Sequence, residues 1–185
     1  MKRKLPIGLL VLPLAAAGLA AGWYFRPFGR VNKTVASPVL TSAPDPGLLK
    51  KTLINRWFTF PMRDNSGSEV TQISYGVDSA ELRNEIILNG QTATAAPGRV
   101  FLIFNIRLRN DSSQPVQLAT GDYVRLNTNN GQDWLAPEIN NDPVIVQAIS
   151  TKLTRLGFPI NQTATDFKLQ VGEIKGDKTT FEVNF

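Results

Sequence analysis

The sequence predicts an all-β protein, an antiparallel β-sandwich preceded by one N-terminal hydrophobic helix. Three observations predict it. Short stretches of period-two alternation recur at roughly ten-residue spacing, the signature of half-buried strands in a sandwich. Clusters of Gly, Pro and Asn separate those stretches. Far upstream, Leu5 to Phe25 carries no charge and is long enough to cross a bilayer.

The helix is the first element. Lys2, Arg3 and Lys4 precede the apolar run, and Trp23, Tyr24, Phe25 and Arg26 close it. Amphipathic rings settle at the lipid headgroups, so these last four residues form the candidate membrane-interface set. Pro6 and Pro13 weaken a soluble helix but are tolerated in lipid. Two readings stay open: an uncleaved signal-anchor, and a signal peptide cut near Ala15-Ala16-Ala17. The denser basic start places the N-terminus inside. The expected location is therefore the cell membrane, single-pass, with the domain extracytoplasmic; the alternative is secretion after signal cleavage. Residues 1–29 form the anchor or signal peptide. Residues 30–56, with Pro38, Pro44, Pro46 and Gly47, read as a linker. Residues 57–185 are the β-sandwich domain.

Within the domain, the stretch Val100 to Arg109 sets the pattern. Leu102, Phe104, Ile106 and Leu108 form one unbroken apolar row, and Phe101, Ile103, Asn105, Arg107 and Arg109 form the other. Arg107 and Arg109 thus occupy the solvated face of a strand rather than a nucleic-acid contact. The turn-forming run NDSSQP follows. Upstream, RWFTFP, VTQISYGVDSAEL and QTATA are further strand candidates, and SAELRNEII reads as strand in preference to helix. Downstream, YVRLNT alternates up to Asn130-Gly131, a hairpin signal, and DWLAP returns. PVIVQAI, TKLTRLGFPI, FKLQV and TTFEVNF complete the set, with EIKGDK as the turn between the last two. The total is seven to nine strands.

Charge and composition exclude whole classes of chemistry. The net charge of +5 is unevenly spread. Residues 1–63 hold ten Lys/Arg against the single acid Asp45, whereas residues 64–185 hold ten bases and fourteen acids. A nucleic-acid module needs its positive charge on the folded face, so nucleic acid is not expected as a partner. Neither Cys nor His occurs, which removes disulfides, thiolate and imidazole metal sites, and Cys or Ser-His catalysis.

No P-loop, G-x-G-x-x-G, H-E-x-x-H or G-x-S-x-G motif is present. Ser150 and Lys152 share a strand face, but no other part of a Ser-Lys constellation accompanies them. NTNNGQD lacks calcium-loop spacing and reads as a hairpin turn, and a cation is the weaker reading for EINNDP around Asp142. The sequons at Asn32, Asn110 and Asn161 read as turn composition, and Trp57 and Trp134 as core residues. No catalytic, cofactor-binding or metal-binding residue is expected, and no cofactor.

The pieces PGRVFLIFNIRLRNDSSQPVQL, YVRLNTNNGQDW, TKLTRLGFPI and FKLQV together resemble a family of bacterial immunoglobulin-like extracellular domains of unknown function, related to immunoprotective extracellular proteins. Gly98 before the Val100 strand, Asn110 closing it, Asn130-Gly131 at the hairpin, and Leu156-Gly157-Phe158 carry the likeness, over about residues 69–185. The resemblance implies an immunoglobulin-like sandwich outside the membrane and brings no catalytic residues. The chain departs from lipoprotein members because it has no Cys to lipidate.

The expected function is therefore a non-enzymatic, membrane-anchored extracytoplasmic module for binding or envelope architecture. Its partners would be membrane lipid, through the N-terminal helix, and an envelope protein. The alternatives are a carboxylate-dependent envelope hydrolase and an accessory subunit of a membrane complex.

Overall fold

A computed structural model describes residues 45–64 and 66–185. The expected anchor 1–29, with Trp23, Tyr24, Phe25 and Arg26, lies outside the described residues, as does most of the 30–56 stretch. Among the described residues no helix is long and apolar enough to cross a membrane.

Among the described residues, eleven strands run in the order β1 (Leu48–Arg63), β2 (Glu69–Arg83), β3 (Glu85–Leu88), β4 (Gln91–Thr94), β5 (Arg99–Asn110), β6 (Val116–Leu118), β7 (Val124–Asn127), β8 (Val144–Val146), β9 (Ser150–Asn161), β10 (Lys168–Gly172) and β11 (Lys178–Glu182). A 3-10 helix, Thr120–Tyr123, precedes β7. All pairings are antiparallel. One sheet has the order β1-β2-β5-β9 and another the order β11-β10-β7; β3-β4 and β6-β8 are two-stranded. The count exceeds the expected seven to nine: the expected strand SAELRNEII is split between β2 and β3, and the three-residue β6 is not among the expected strands. Runs that short carry little periodicity.

The four-stranded and three-stranded sheets bury their facing side chains in one core. Leu102, Phe104, Ile106 and Leu108 of β5 are buried there with Val124 and Leu126 of β7 and Leu169 and Val171 of β10. Phe104 meets Phe158 edge-on at 5.8 Å between ring centroids, a favoured aromatic geometry. Tyr75 is fully buried, and its hydroxyl donates to the Thr120 carbonyl at 3.1 Å. Burial raises its pKa, so it stays a neutral donor.

Two register shifts explain where sequence and structure part. β1 begins at Leu48, inside the stretch expected to be linker, so the first described strand of the sandwich includes residues before 57. An irregularity between Leu53 and Arg56, with Asn55 in the left-handed region at φ 50°, interrupts the period-two pattern that would reveal one long strand. In β2, Ile73, Tyr75 and Val77 point inward, then Ala80. The shift between Val77 and Ser79 moves the inward set from odd to even positions. SAELRNEII is strand, as expected, divided at Asn84 into the end of β2 and β3. DWLAP returns beside β7 through a single bridge, Leu126 to Leu135.

Candidate binding face

The outer face of the four-stranded sheet, turned away from the core, is divided into two halves. Along β5, Ile103 is buried outside the main core while Arg107 and Arg109 are exposed, as their alternation requires. The β3-β4 hairpin and the loop around Glu138–Asn141 flank the Ile103 end. Nothing among the described residues covers the Arg107 end.

The covered half is closed by apolar contact and by an ion-pair network. Gly157 on β9 exchanges backbone hydrogen bonds with Ile139, donating at 2.7 Å and accepting at 3.1 Å. A Cβ at Gly157 would lie 2.8 Å from Ile103 Cδ1 and 2.9 Å from Ile139 Cβ, so the missing side chain is what admits both isoleucines. Beside them, Arg83 donates bidentately to Asp45 at 2.6 and 2.9 Å and to Glu81 at 2.7 Å. It also donates to the carbonyls of Pro46 and Glu85. Glu81 additionally accepts from Asn105 at 3.0 Å and pairs with Lys51 at 3.0 Å. One guanidinium thereby ties the Asp45–Pro46 segment, the end of β2 and the start of β3 together.

Grooves of about 480 and 510 Å³ flank the hairpin, both lined by Ile86, Ile87 and Arg155. The first holds Asp45, Glu81 and Glu85. Burial pushes the Glu81 carboxyl up, but hydrogen bonds from Lys51, Arg83 and Asn105 outweigh it and leave the pKa below its ordinary value. The hydrogen bond from Arg83 lowers Asp45 as well. Both are ionised near neutral pH. General acid catalysis by a carboxyl needs the opposite shift.

The open half is organised around Trp57. Trp57, Gly76, Arg107 and Leu153 stand directly opposite one another in succession across β1, β2, β5 and β9. Gly76 has no side chain, and the indole lies over it. A Cβ there would meet Trp57 Cε3 and Cζ3 at 3.0 Å. The residue is still 49% exposed, so the opposite ring face looks to solvent. Arg107 approaches to 6.0 Å from the ring centroid, the outer limit for a cation–π contact. Its Nε donates to Asp78 Oδ2 at 3.0 Å and its Nη2 lies 2.9 Å from the same oxygen. Arg109 is paired with Asp111 at 2.8 Å. Leu53 and Leu153 are also exposed, at 72% and 67%, and Leu153 stands at the far end of the row from Trp57.

Trp57 was expected in the core, and so was Trp134; both are substantially exposed. The outward parity of Trp57 follows from the register of β1 on β2, which a single strand read alone does not reveal. The pairing of a large aromatic with a facing glycine was the available signal, but it becomes visible only once Trp57 and Gly76 are known to be opposite.

The remaining candidates resolve into structural roles. Ser150 Oγ donates to the Gln147 carbonyl at 2.7 Å and Lys152 is exposed, with no bond between them. Asn127 donates to Gly131 and Asp133 carbonyls, and Asn129 and Asn130 both have left-handed φ, which makes NTNNGQD a stapled turn. Asp142 accepts from Thr120 N, Thr120 Oγ1 and Gly121 N, so it caps the 3-10 helix. Among the described residues, no group of three or more acidic side chains is arranged to hold a metal ion. Asn110 is fully buried, donating to three carbonyls and accepting from Ser112, and Asn161 accepts from Thr163. Both sequon asparagines act in turns.

No family model matches the chain, and no curated protein matches it. Two solved structures are similar. A conserved hypothetical protein from Bacillus anthracis shares 16% identity at a TM-score of 0.48, covering 71% of this chain and 95% of that one. An uncharacterized beta-sandwich protein from Clostridium difficile 630 shares 12% identity at a TM-score of 0.45, covering 60% and 85%. At these values neither carries an argument about this chain, and its β-sandwich architecture stands on the two facing sheets and their common core.

Proposed function

We propose that the chain is a non-enzymatic, membrane-tethered sandwich module of the cell envelope, whose open sheet face binds a partner outside the membrane. The observation that carries the binding role is the solvent-facing indole of Trp57, laid flat on Gly76 beside the Asp78–Arg107 pair. A half-exposed indole backed by a glycine is a large aromatic of the kind enriched at binding surfaces. The low pKa of Glu81 and Asp45 favours binding over a carboxylate-dependent hydrolase, because neither is a proton donor near neutral pH.

The tether and the outside location rest on the uncharged Leu5–Phe25 run and its Trp23-Tyr24-Phe25-Arg26 exit. The finer likeness to immunoglobulin-like extracellular modules belongs to the same proposal. Four strands packed on three is the constant-type count, and such architectures recur without identical topology. Here the chain path does differ. β2 leads through the β3-β4 hairpin to β5 in its own sheet, where a constant-type domain would cross to the other sheet. Membrane fractionation with protease shaving of intact cells tests the placement. The domain should be digested from outside while a short N-terminal fragment stays in the membrane. A lipid-free cytosolic chain, or one protected until lysis, would refute it.

A further inference from the structure

We propose that the open face binds an uncharged, equatorially hydroxylated glycan, stacked on the outer face of Trp57. The claim rests on the binding role proposed above and names the class of partner. Three features point to a saccharide. First, the indole is backed by Gly76 on one ring face and is half exposed, with the Arg107 guanidinium 6.0 Å from the ring centroid. Its ring lies on the Gly76 backbone, and half its surface remains exposed. A flat aromatic face of this kind complements the axial C–H face of a pyranose, whose hydroxyls then project sideways.

Second, a paired donor and acceptor stand near the ring, with Arg107 6.0 Å from its centroid. Asp78 and Arg107 hold each other through two contacts of 2.9 and 3.0 Å. The carboxylate and guanidinium retain further acceptor and donor capacity for paired hydroxyls. Asn105, one row along β5, is already committed to Ser79 and Glu81, so it marks the boundary of the site toward the covered half.

Third, charge is balanced locally. Arg107 and Arg109 are both neutralised by carboxylates, Asp78 and Asp111. An anionic lipid or polyanion would find little net positive field around the indole, whereas a neutral polar ligand loses nothing by that neutrality. The row from Trp57 to Leu153 crosses three interstrand gaps, on the order of 14 Å, which accommodates about three β-linked pyranose rings. Leu153 at its far end offers a second apolar contact.

The test is isothermal titration calorimetry of the full chain, purified in a detergent with no sugar headgroup, against chitohexaose and cellohexaose. The expected result is measurable binding to at least one of them. Trp57→Ala should weaken it by about tenfold or more, Arg107→Ala by several-fold, and Trp57→Phe by less than Trp57→Ala. Trp134→Ala should leave it unchanged, and thermal unfolding should confirm that every variant folds. Absence of heat with both hexasaccharides overturns the proposal, as does binding indifferent to Trp57→Ala. Trp57-dependent binding of dihexanoylphosphatidylglycerol, with no saccharide binding, also overturns it and makes the face a lipid contact. The titration uses purified protein, so its failure is separate from a failure of the membrane placement.

Discussion

The two halves of the outer sheet face lie on the same four strands, and in each a glycine admits a large neighbour. At the covered half, Gly157 makes room for Ile103 and Ile139. At the open half, Gly76 makes room for the Trp57 ring. The first arrangement removes apolar surface from water on both sides of the contact. The second removes it on the Gly76 side, and leaves the indole half exposed. The ion pairs follow the same division. Arg83, Glu81 and Asp45 join the Asp45 segment to the largely buried end of β2, whereas Arg107–Asp78, between β5 and β2, and Arg109–Asp111 are pairs whose arginines are exposed at the surface. One half is built to hold the chain together, and the other is not needed for that.

The largest effect that sharpens this contrast comes from truncating one apolar residue in each half. Ile103 is 3% exposed, so Ile103→Ala should cost about 2–4 kcal/mol through lost burial and the cavity left behind. Leu153→Ala, on the adjacent strand, should stay within about 0.5 kcal/mol. Urea unfolding measures both. Equal losses would mean that the open half is packed by something the described residues do not include, and the division would fall.

Next in size is the network. Arg83→Met removes the partner of Glu81 and Asp45 at once and should destabilise by about 2 kcal/mol at neutral pH, with Lys51 still pairing Glu81. The effect depends on pH with a definite sign. The folded pKa of Glu81 is depressed, so its stabilisation is complete above the unfolded carboxylate value of about 4.3 and is lost as pH falls through the lower folded value. Unfolding measured between about pH 2 and 5 should therefore show the wild-type advantage over Arg83→Met shrinking as the solution is acidified. A constant gap would show that the pair does not set that carboxyl. By contrast, Asp78→Asn should change stability by less than about 1 kcal/mol, as exposed pairs do.

Much of this division was legible in the sequence, and the part that was not has a physical cause. Along β5, Leu102, Phe104, Ile106 and Leu108 against Arg107 and Arg109 assigned inside and outside correctly, because period two survives there without a bulge. The apolar residues at odd positions, Phe101 and Ile103, were the trace of a second contact on the outer face. The hairpin that forms that contact supplies Ile86 from a four-residue strand, too short to announce where it packs. Trp57 was misassigned for a related reason. Its side depends on the register of β1 against β2, and the irregularity near Asn55 hides that register from any single-strand pattern. The Arg83 network was invisible because Asp45 and Arg83 are far apart in the chain, and adjacency of that kind is set by topology alone.

The smallest effect is also the most direct comparison of the two glycines. Gly157→Ala places a methyl group 2.8 Å from Ile103 and 2.9 Å from Ile139, whose positions are fixed by packing and by the backbone bridge at Gly157. Neither neighbour can withdraw cheaply, so a loss of about 1–2 kcal/mol is expected from overpacking. Gly76→Ala places the same methyl 3.0 Å from the Trp57 ring, but that ring is bounded by solvent on its other side and can lift. The gain from replacing a strand glycine, of order 0.5–1 kcal/mol, then offsets the displacement. The net change should lie within about 0.5 kcal/mol, while the altered indole position weakens any ligand that stacks on it. Urea unfolding of both variants, paired with Trp fluorescence of Gly76→Ala, measures the difference. If Gly76→Ala proves as costly as Gly157→Ala, the indole is clamped from outside, and the open half is not open.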